Sequence, residues 1–263
     1  YKSYIMRGDN NNETDNKEVL INIAKLRAQK AKLMGYDSHA HFVLEERMLK
    51  TPEEVYNLLD QLWKPALNRA KQEVEDMQAV IDAEGHDFKV AAWDWWQYSE
   101  KVRKEKYDLD ESAIKPYLSL DNALKGVFNT TQKLWGITFT EIFDIDLYHP
   151  DARIWEVKDF DGSHLGIFIG DYFENLITLF HEFGHAMHGI LTNVTYGSMS
   201  GTSGPRDFTE FPAQILEHWA SEPSILKSFA THYETGETIP DALINKILNA
   251  SKFNQGFINT EYL

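Results

Sequence analysis

The chain has 263 residues, 43% of them hydrophobic, and a formal net charge of −15 at pH 7. That length and apolar content allow a sizeable buried core in one or two domains and exclude a disordered class. The acidic balance argues against a nucleic-acid surface or adsorption to anionic membranes, and the absence of cysteine excludes disulfides and thiolate metal ligands.

Residues 1–16 are polar, and Asn10-Asn11-Asn12 reads as an exposed loop. The chain begins at Tyr1 rather than Met, which leaves room for a removed targeting segment, although no signal peptide and no apolar stretch of membrane-spanning length is recognisable. A helical pattern runs from about Lys17 to Met34 and stops at Gly35, a suitable C-terminal cap. Thr51-Pro52-Glu53-Glu54 is a capping box with proline at the first helical position. The helix it opens extends towards Glu84 before Gly85, with a bend expected at Pro65. Trp93, Trp95, Trp96 and Tyr98 form an aromatic cluster that suits core packing better than ligand binding. Asp121 to Trp135 reads as a further helix ending at Gly136. The pattern then changes to strands over Ile137 to Phe143, Arg153 to Phe160 and His164 to Tyr172, with Asp161-Gly162 as a hairpin signal.

The chemistry concentrates in Leu179-Phe180-His181-Glu182-Phe183-Gly184-His185-Ala186-Met187-His188. Residues four apart project from one helix face, so His181 and His185 can reach one cation, and His188 would share that face. Glu182 lies about 100° round the helix from His181, which suits a carboxylate that holds water beside the metal and takes its proton. This is the His-Glu-x-x-His pattern of zinc hydrolases. A pair of core histidines satisfied by hydrogen bonds is the alternative. The apolar residues Leu176, Ile177, Leu179, Phe180, Ile190 and Leu191 lead to the expectation of a helix, from about Glu174 to Leu191, buried on most sides.

A catalytic zinc takes three protein ligands, and the suitable third is Glu210, at the start of a second helical pattern after the Gly/Ser/Thr-rich loop from Tyr196 to Pro205. Spacing alone leaves Glu210 open between ligand and ordinary solvated glutamate.

At these residues the chain resembles the thimet oligopeptidase family of zinc metallopeptidases. The resemblance rests on His-Glu-Phe-Gly-His-Ala-Met-His and, 29 residues after its first histidine, the glutamate of Asp-Phe-Thr-Glu-Phe-Pro-Ala-Gln. Ser200-Gly201-Thr202, Arg206-Asp207-Phe208 and Glu217-His218-Trp219 are more similar to the peptidyl-dipeptidase (dipeptidyl carboxypeptidase) branch. The similarity extends to Gly162-Ser163-His164-Leu165-Gly166 and Phe253-Asn254-Gln255-Gly256-Phe257.

The resemblance implies one Zn2+ held by His181, His185 and Glu210, with Glu182 as the catalytic base. It implies a mainly α (α+β) fold, a thermolysin-like zincin body of long helices with a small antiparallel sheet beside the zinc helix. The domain expected is an incomplete catalytic one over residues 1–263, divided into an N-terminal helical region, residues 1–136, and a sheet and zinc-binding core, residues 137–263. Short peptides are the implied substrates, with release of C-terminal dipeptides. Arg206 is open between a site for the terminal carboxylate and a structural salt bridge.

The alternatives are a general oligopeptidase of the same family, an inactive zinc- or peptide-binding remnant, and a helical scaffold with a coincidental motif. No nucleic-acid or membrane partner is expected, and the oligomeric state stays open. The cytoplasm is the expected compartment, with the periplasm as the alternative.

Two departures from the family stand out. Relatives carry several dozen residues, including further strand and a Gly-rich loop, where this chain passes directly from Asp171-Tyr172-Phe173 to Glu174-Asn175-Leu176; an omitted segment is favoured over a lost one. They also continue beyond Tyr262-Leu263 with a histidine and two tyrosines that donate hydrogen bonds to the substrate and the oxyanion.

Overall fold

The computed structural model describes residues 1–107, 111–171 and 175–262. In chain order its elements are α1 (Lys2–Ile5), α2 (Lys17–Leu33), α3 (His39–Leu44), α4 (Pro52–Ala83), α5 (Trp95–Tyr107), α6 (Glu111–Ile114), α7 (Leu120–Trp135), β1 (Thr138–Glu141), β2 (Arg153–Lys158), β3 (His164–Gly170), α8 (Leu176–Ile190), α9 (Arg206–Ser221), α10 (Pro223–Phe229), α11 (Asp241–Ala250) and α12 (Gln255–Tyr262). This is the expected mainly helical chain with one small antiparallel sheet. No described helix is both long and apolar enough to cross a membrane. The chain forms two compact units, Tyr1–Tyr107 with Lys252–Leu263, and Asp108–Ser251. Residue 136, the expected dividing point, lies within the second.

In the first unit, α4 is set by its capping box. The Thr51 hydroxyl accepts the Glu54 N–H at 3.2 Å, and the Glu54 carboxylate accepts the Thr51 N–H at 3.2 Å, satisfying two donors that a helix start leaves unpaired. Pro65 sits inside this helix without ending it. Met77, Val80 and Ile81 pack against Tyr98 and Val102 of α5.

The aromatic cluster divides. Trp95, three and seven residues before Tyr98 and Val102, shares their inward face; its ring stacks on Phe257 at 4.6 Å and its Nε1–H donates to Asn254 at 3.1 Å. Trp93, in the turn before α5, and Trp96, off that face, are 66% and 65% exposed, so core packing accounts for only half of the cluster.

Glu73 of α4, 8% exposed, accepts the Gly256 and Phe257 N–H groups at 2.9 Å each and pairs with Arg69 at 3.3 Å. It thereby closes the N-terminus of α12. Gly256 permits the contact, since a Cβ there would stand 2.1 Å from the Ala70 backbone nitrogen.

In the second unit the strands pair in the order β1-β2-β3, all antiparallel. Each is shorter than expected, and β2 stops at Lys158 because the hairpin turn takes residues 159–163. Asp159 N–H donates to the Ser163 carbonyl at 2.9 Å and Gly162 takes φ +84°, a left-handed turn position that favours glycine. The expected strand end at Tyr172 and the expected helix start at Glu174 lie outside the described residues.

Phe139, Trp155 and Phe168 line one sheet face and meet Phe128 of α7, stacked on Phe139 at 4.2 Å. Phe183 of α8 packs edge-on to Phe168 at 4.9 Å. The zinc-motif helix therefore lies beside the sheet, as the single cluster of strand signals led one to expect. Arg153 of β2 donates two hydrogen bonds to Glu141 and one to Asp121, all at 2.7 Å. Glu141 first, then Asp121, holds its guanidinium pKa above the ordinary arginine value, and the pairing ties the start of α7 to the sheet.

Candidate metal centre

Helix α8 begins where Asn175 accepts the Thr178 N–H at 3.1 Å, an N-cap interaction. Leu179, Phe180, Phe183, Gly184 and Met187 are buried, a stripe of 3.6-residue period on one face. Burial on most sides does not hold, since Ile177 is 54% exposed and Glu182 and Gly189 also face solvent. His181 and His185 flank the stripe, with side chains 24% and 21% exposed.

The chain returns after α8 through a loop fastened to the end of that helix. The Thr192 hydroxyl donates to the His188 carbonyl and accepts the Gly201 N–H at 3.1 Å. Gly201 takes φ +53°, and a Cβ there would lie 3.1 Å from Gly189 Cα. Helix α9 then packs on α8 at backbone contact. A Cβ on Gly184 would stand 2.5 Å from Ala213 Cα and 2.9 Å from the Pro212 carbonyl oxygen. Thr209, Ala213, Leu216 and Ala220 bury one face of α9. Glu210 and Glu217 are two turns apart beside that face.

This approach brings the three expected ligands together. His181 Nε2 and His185 Nε2 lie 3.2 Å apart, and Glu210 Oε2 is 3.4 and 3.3 Å from them. Potential donor atoms of the three residues all fall within 4.8 Å of one another. His181 Nδ1 sits 2.6 Å from Glu217 Oε1, an arrangement in which a proton on Nδ1 donates to that carboxylate and Nε2 is left with its lone pair towards the cluster.

Two imidazole nitrogens and a carboxylate oxygen crowded at this range repel one another unless a cation or a shared proton lies between them. The donor set matches a two-His, one-Glu zinc centre, so the residues present fit the implied metal. Hydrogen-bonded core histidines account less well for His185, whose Nδ1 is buried with no partner among the described residues.

The remaining expected residues stand apart. Glu182, one position on from His181, is exposed and outside the cluster. His188 is half-buried, its ring 6.0 Å from Phe208 and its Nδ1 buried without a partner among the described residues, and it does not join the His181, His185 and Glu210 group. It lines an apolar groove of about 490 Å³ with Met187, Phe211, Ile215, Leu216 and Trp219. Arg206 is the exposed first residue of α9, with no ion pair among the described residues. Sequence reasoning assigned no role to Glu217. Its signal is the seven-residue interval from Glu210, which returns a second carboxylate to the same side of the helix.

A His-Glu-x-x-His helix with a carboxylate delivered by the next helix defines the class: a helical fold with a two-His, one-Glu group able to hold a metal ion, beside a small sheet. The pattern describing Peptidase family M3 matches residues 1–176 and 172–263, and the chain belongs to that family.

Among its relatives, the dipeptidyl carboxypeptidase of Escherichia coli (strain K12) is 38% identical over 304 residues, covering 98% of this chain and 45% of its own length. Oligopeptidase A of Salmonella typhimurium is 30% identical over 307 residues, covering 96% and 45%. The mitochondrial intermediate peptidase of Mus musculus is 26% identical, covering 90% and 41%. The chain thus spans under half the length of these relatives. The higher identity to dipeptidyl carboxypeptidase agrees with the branch that the motifs resemble.

The departure noted between Asp171 and Leu176 also has a counterpart. The family match breaks in two at residues 172–176. Because 98% of the chain is about 258 residues, the 304-residue alignment holds roughly 46 positions that this chain lacks.

Proposed function

We propose that this chain carries the metal-binding portion of a peptidase site that hydrolyses peptide bonds in short peptides and releases dipeptides from their C-termini. The observation that carries the reading is the convergence of His181 Nε2, His185 Nε2 and Glu210 Oε2 within 3.4 Å, the two histidines lying on a helix that also carries the exposed Glu182 one position after His181. Those three side chains would hold Zn2+, which when bound supplies Lewis acidity that polarises a carbonyl and brings the pKa of water towards neutrality. A Glu182 carboxylate oxygen takes a proton from the attacking water and passes it to the leaving amine nitrogen, one group acting first as base and then as acid. His181 and His185 stay fixed through both transfers, held by the packing of α8 on α9. The dipeptidyl carboxypeptidase relatives support the C-terminal register; oligopeptidase A relatives support a general oligopeptidase as the second reading.

The test compares the protein with its Glu182→Gln variant on a short peptide with a free C-terminus and on the same peptide amidated. The amide cannot take the proton, so turnover should fall by about 10²- to 10⁴-fold, roughly 3 to 5 kcal/mol of barrier, with zinc content retained. Full turnover in the variant would remove Glu182 from its role. Equal cleavage of free and amidated peptides would replace the peptidyl-dipeptidase reading by the general oligopeptidase.

A further inference from the structure

We propose that Glu217 is a positioning residue for the metal centre, holding the His181 ring so that Nε2 rather than Nδ1 faces His185 and Glu210. The inference rests on the metal-centre reading above and assigns the support of one ligand. Glu217 Oε1 lies 2.6 Å from His181 Nδ1, on the side of the ring away from the cluster. A ligating imidazole needs its proton on the other nitrogen, and a carboxylate at that nitrogen fixes both the tautomer and the ring angle. Glu210 and Glu217 belong to the same helix, so α9 delivers a ligand and, two turns on, the support of another ligand.

The two histidines are thereby treated differently. His185 has no such partner, its Nδ1 being buried and unpaired among the described residues, so no carboxylate among them holds its ring from the side away from the cluster. The rival role for Glu217 is a plain tie between α8 and α9. A tie is felt by the metal-free protein, whereas positioning is felt by metal affinity while metal-free stability stays nearly constant.

The experiment measures Zn2+ affinity by chelator competition for the protein and for Glu217→Ala, Glu217→Asp, Glu217→Gln and His185→Ala, alongside thermal unfolding of each metal-free form. Nitrogen NMR of labelled histidine in the metal-free protein reports the tautomer. Glu217→Ala should weaken zinc binding about 10- to 100-fold and lose the Nδ1-protonated signal of His181. Glu217→Gln keeps an acceptor oxygen and should lose less.

Parental affinity in Glu217→Ala overturns the proposal, as does a loss that Glu217→Gln shares fully and that follows the metal-free unfolding temperature. Should the alanine variant not fold, Glu217→Asp decides: it keeps the charge but shortens the reach, and parental affinity there is equally fatal. A parent that takes up no zinc, or a His185→Ala variant that keeps it, overturns the metal-centre reading itself and this inference with it.

Discussion

Glu73 in the first unit and Glu210 in the second are both helix glutamates brought against another helix, yet they meet opposite surroundings. The Glu73 oxygens are filled by protein donors, two backbone N–H groups at 2.9 Å and the Arg69 guanidinium at 3.3 Å. Glu210 Oε2 meets His181 Nε2 and His185 Nε2, while the other ring nitrogen of His181 faces Glu217. A carboxylate whose lone pairs are satisfied internally closes a structure. One aimed at other lone pairs marks a place for a cation. Each unit also places a glycine where two helix backbones touch, Gly256 against Ala70 and Gly184 against Ala213. The close approach is common to both, and what it delivers differs.

The contrast can be broken first at Glu210. Glu210→Ala should abolish zinc uptake and hydrolysis together while the metal-free protein unfolds nearly as before, which metal analysis beside calorimetry would show. Glu73→Ala should do the reverse. Stranding two buried N–H groups costs about 2 to 5 kcal/mol, read in denaturant unfolding, with zinc content unchanged. Next come the glycines: Gly184→Ala forces backbone apart, costing about 1 to 3 kcal/mol, and should weaken zinc binding. Gly256→Ala should destabilise comparably with zinc affinity intact. The smallest effect belongs to Thr51→Ala, which removes one half of the α4 capping box for about 1 kcal/mol and should leave the metal centre untouched.

How much of this could be read beforehand depends on whether the cause was local. The α4 start, the Gly136 stop and the Asp161-Gly162 hairpin are local, because each involves groups within a few residues, and each appears in the sequence as a signature. The ligand pair His181 and His185 is likewise a helix-spacing property. Glu210 needed the resemblance, because nothing in the interval from His185 says that α9 returns at backbone contact. Gly184 and Ala213 carry that information only once they are seen to face each other. Glu217 was legible as a second carboxylate two turns beyond Glu210, but its partner is 36 residues earlier and the pairing is tertiary. Trp93 and Trp96 show the opposite failure, since aromatic composition suggested core packing, while Trp93 sits in the turn before α5 and the helix phase turns Trp96 outward. The expected run of α4 through Pro65 to a stop at Gly85 agrees with the helix, which continues for 18 residues beyond the proline to Ala83.

The central claim, that α8 and α9 together build a two-His, one-Glu metal site, is tested most directly by X-ray absorption on the zinc-loaded protein. The expected inner shell contains two imidazole nitrogens at about 2.0 to 2.1 Å and carboxylate oxygen at about 2.0 to 2.2 Å, and His185→Ala should retain no zinc. A shell with three imidazoles, which would bring in His188, or one of oxygen atoms alone would contradict it.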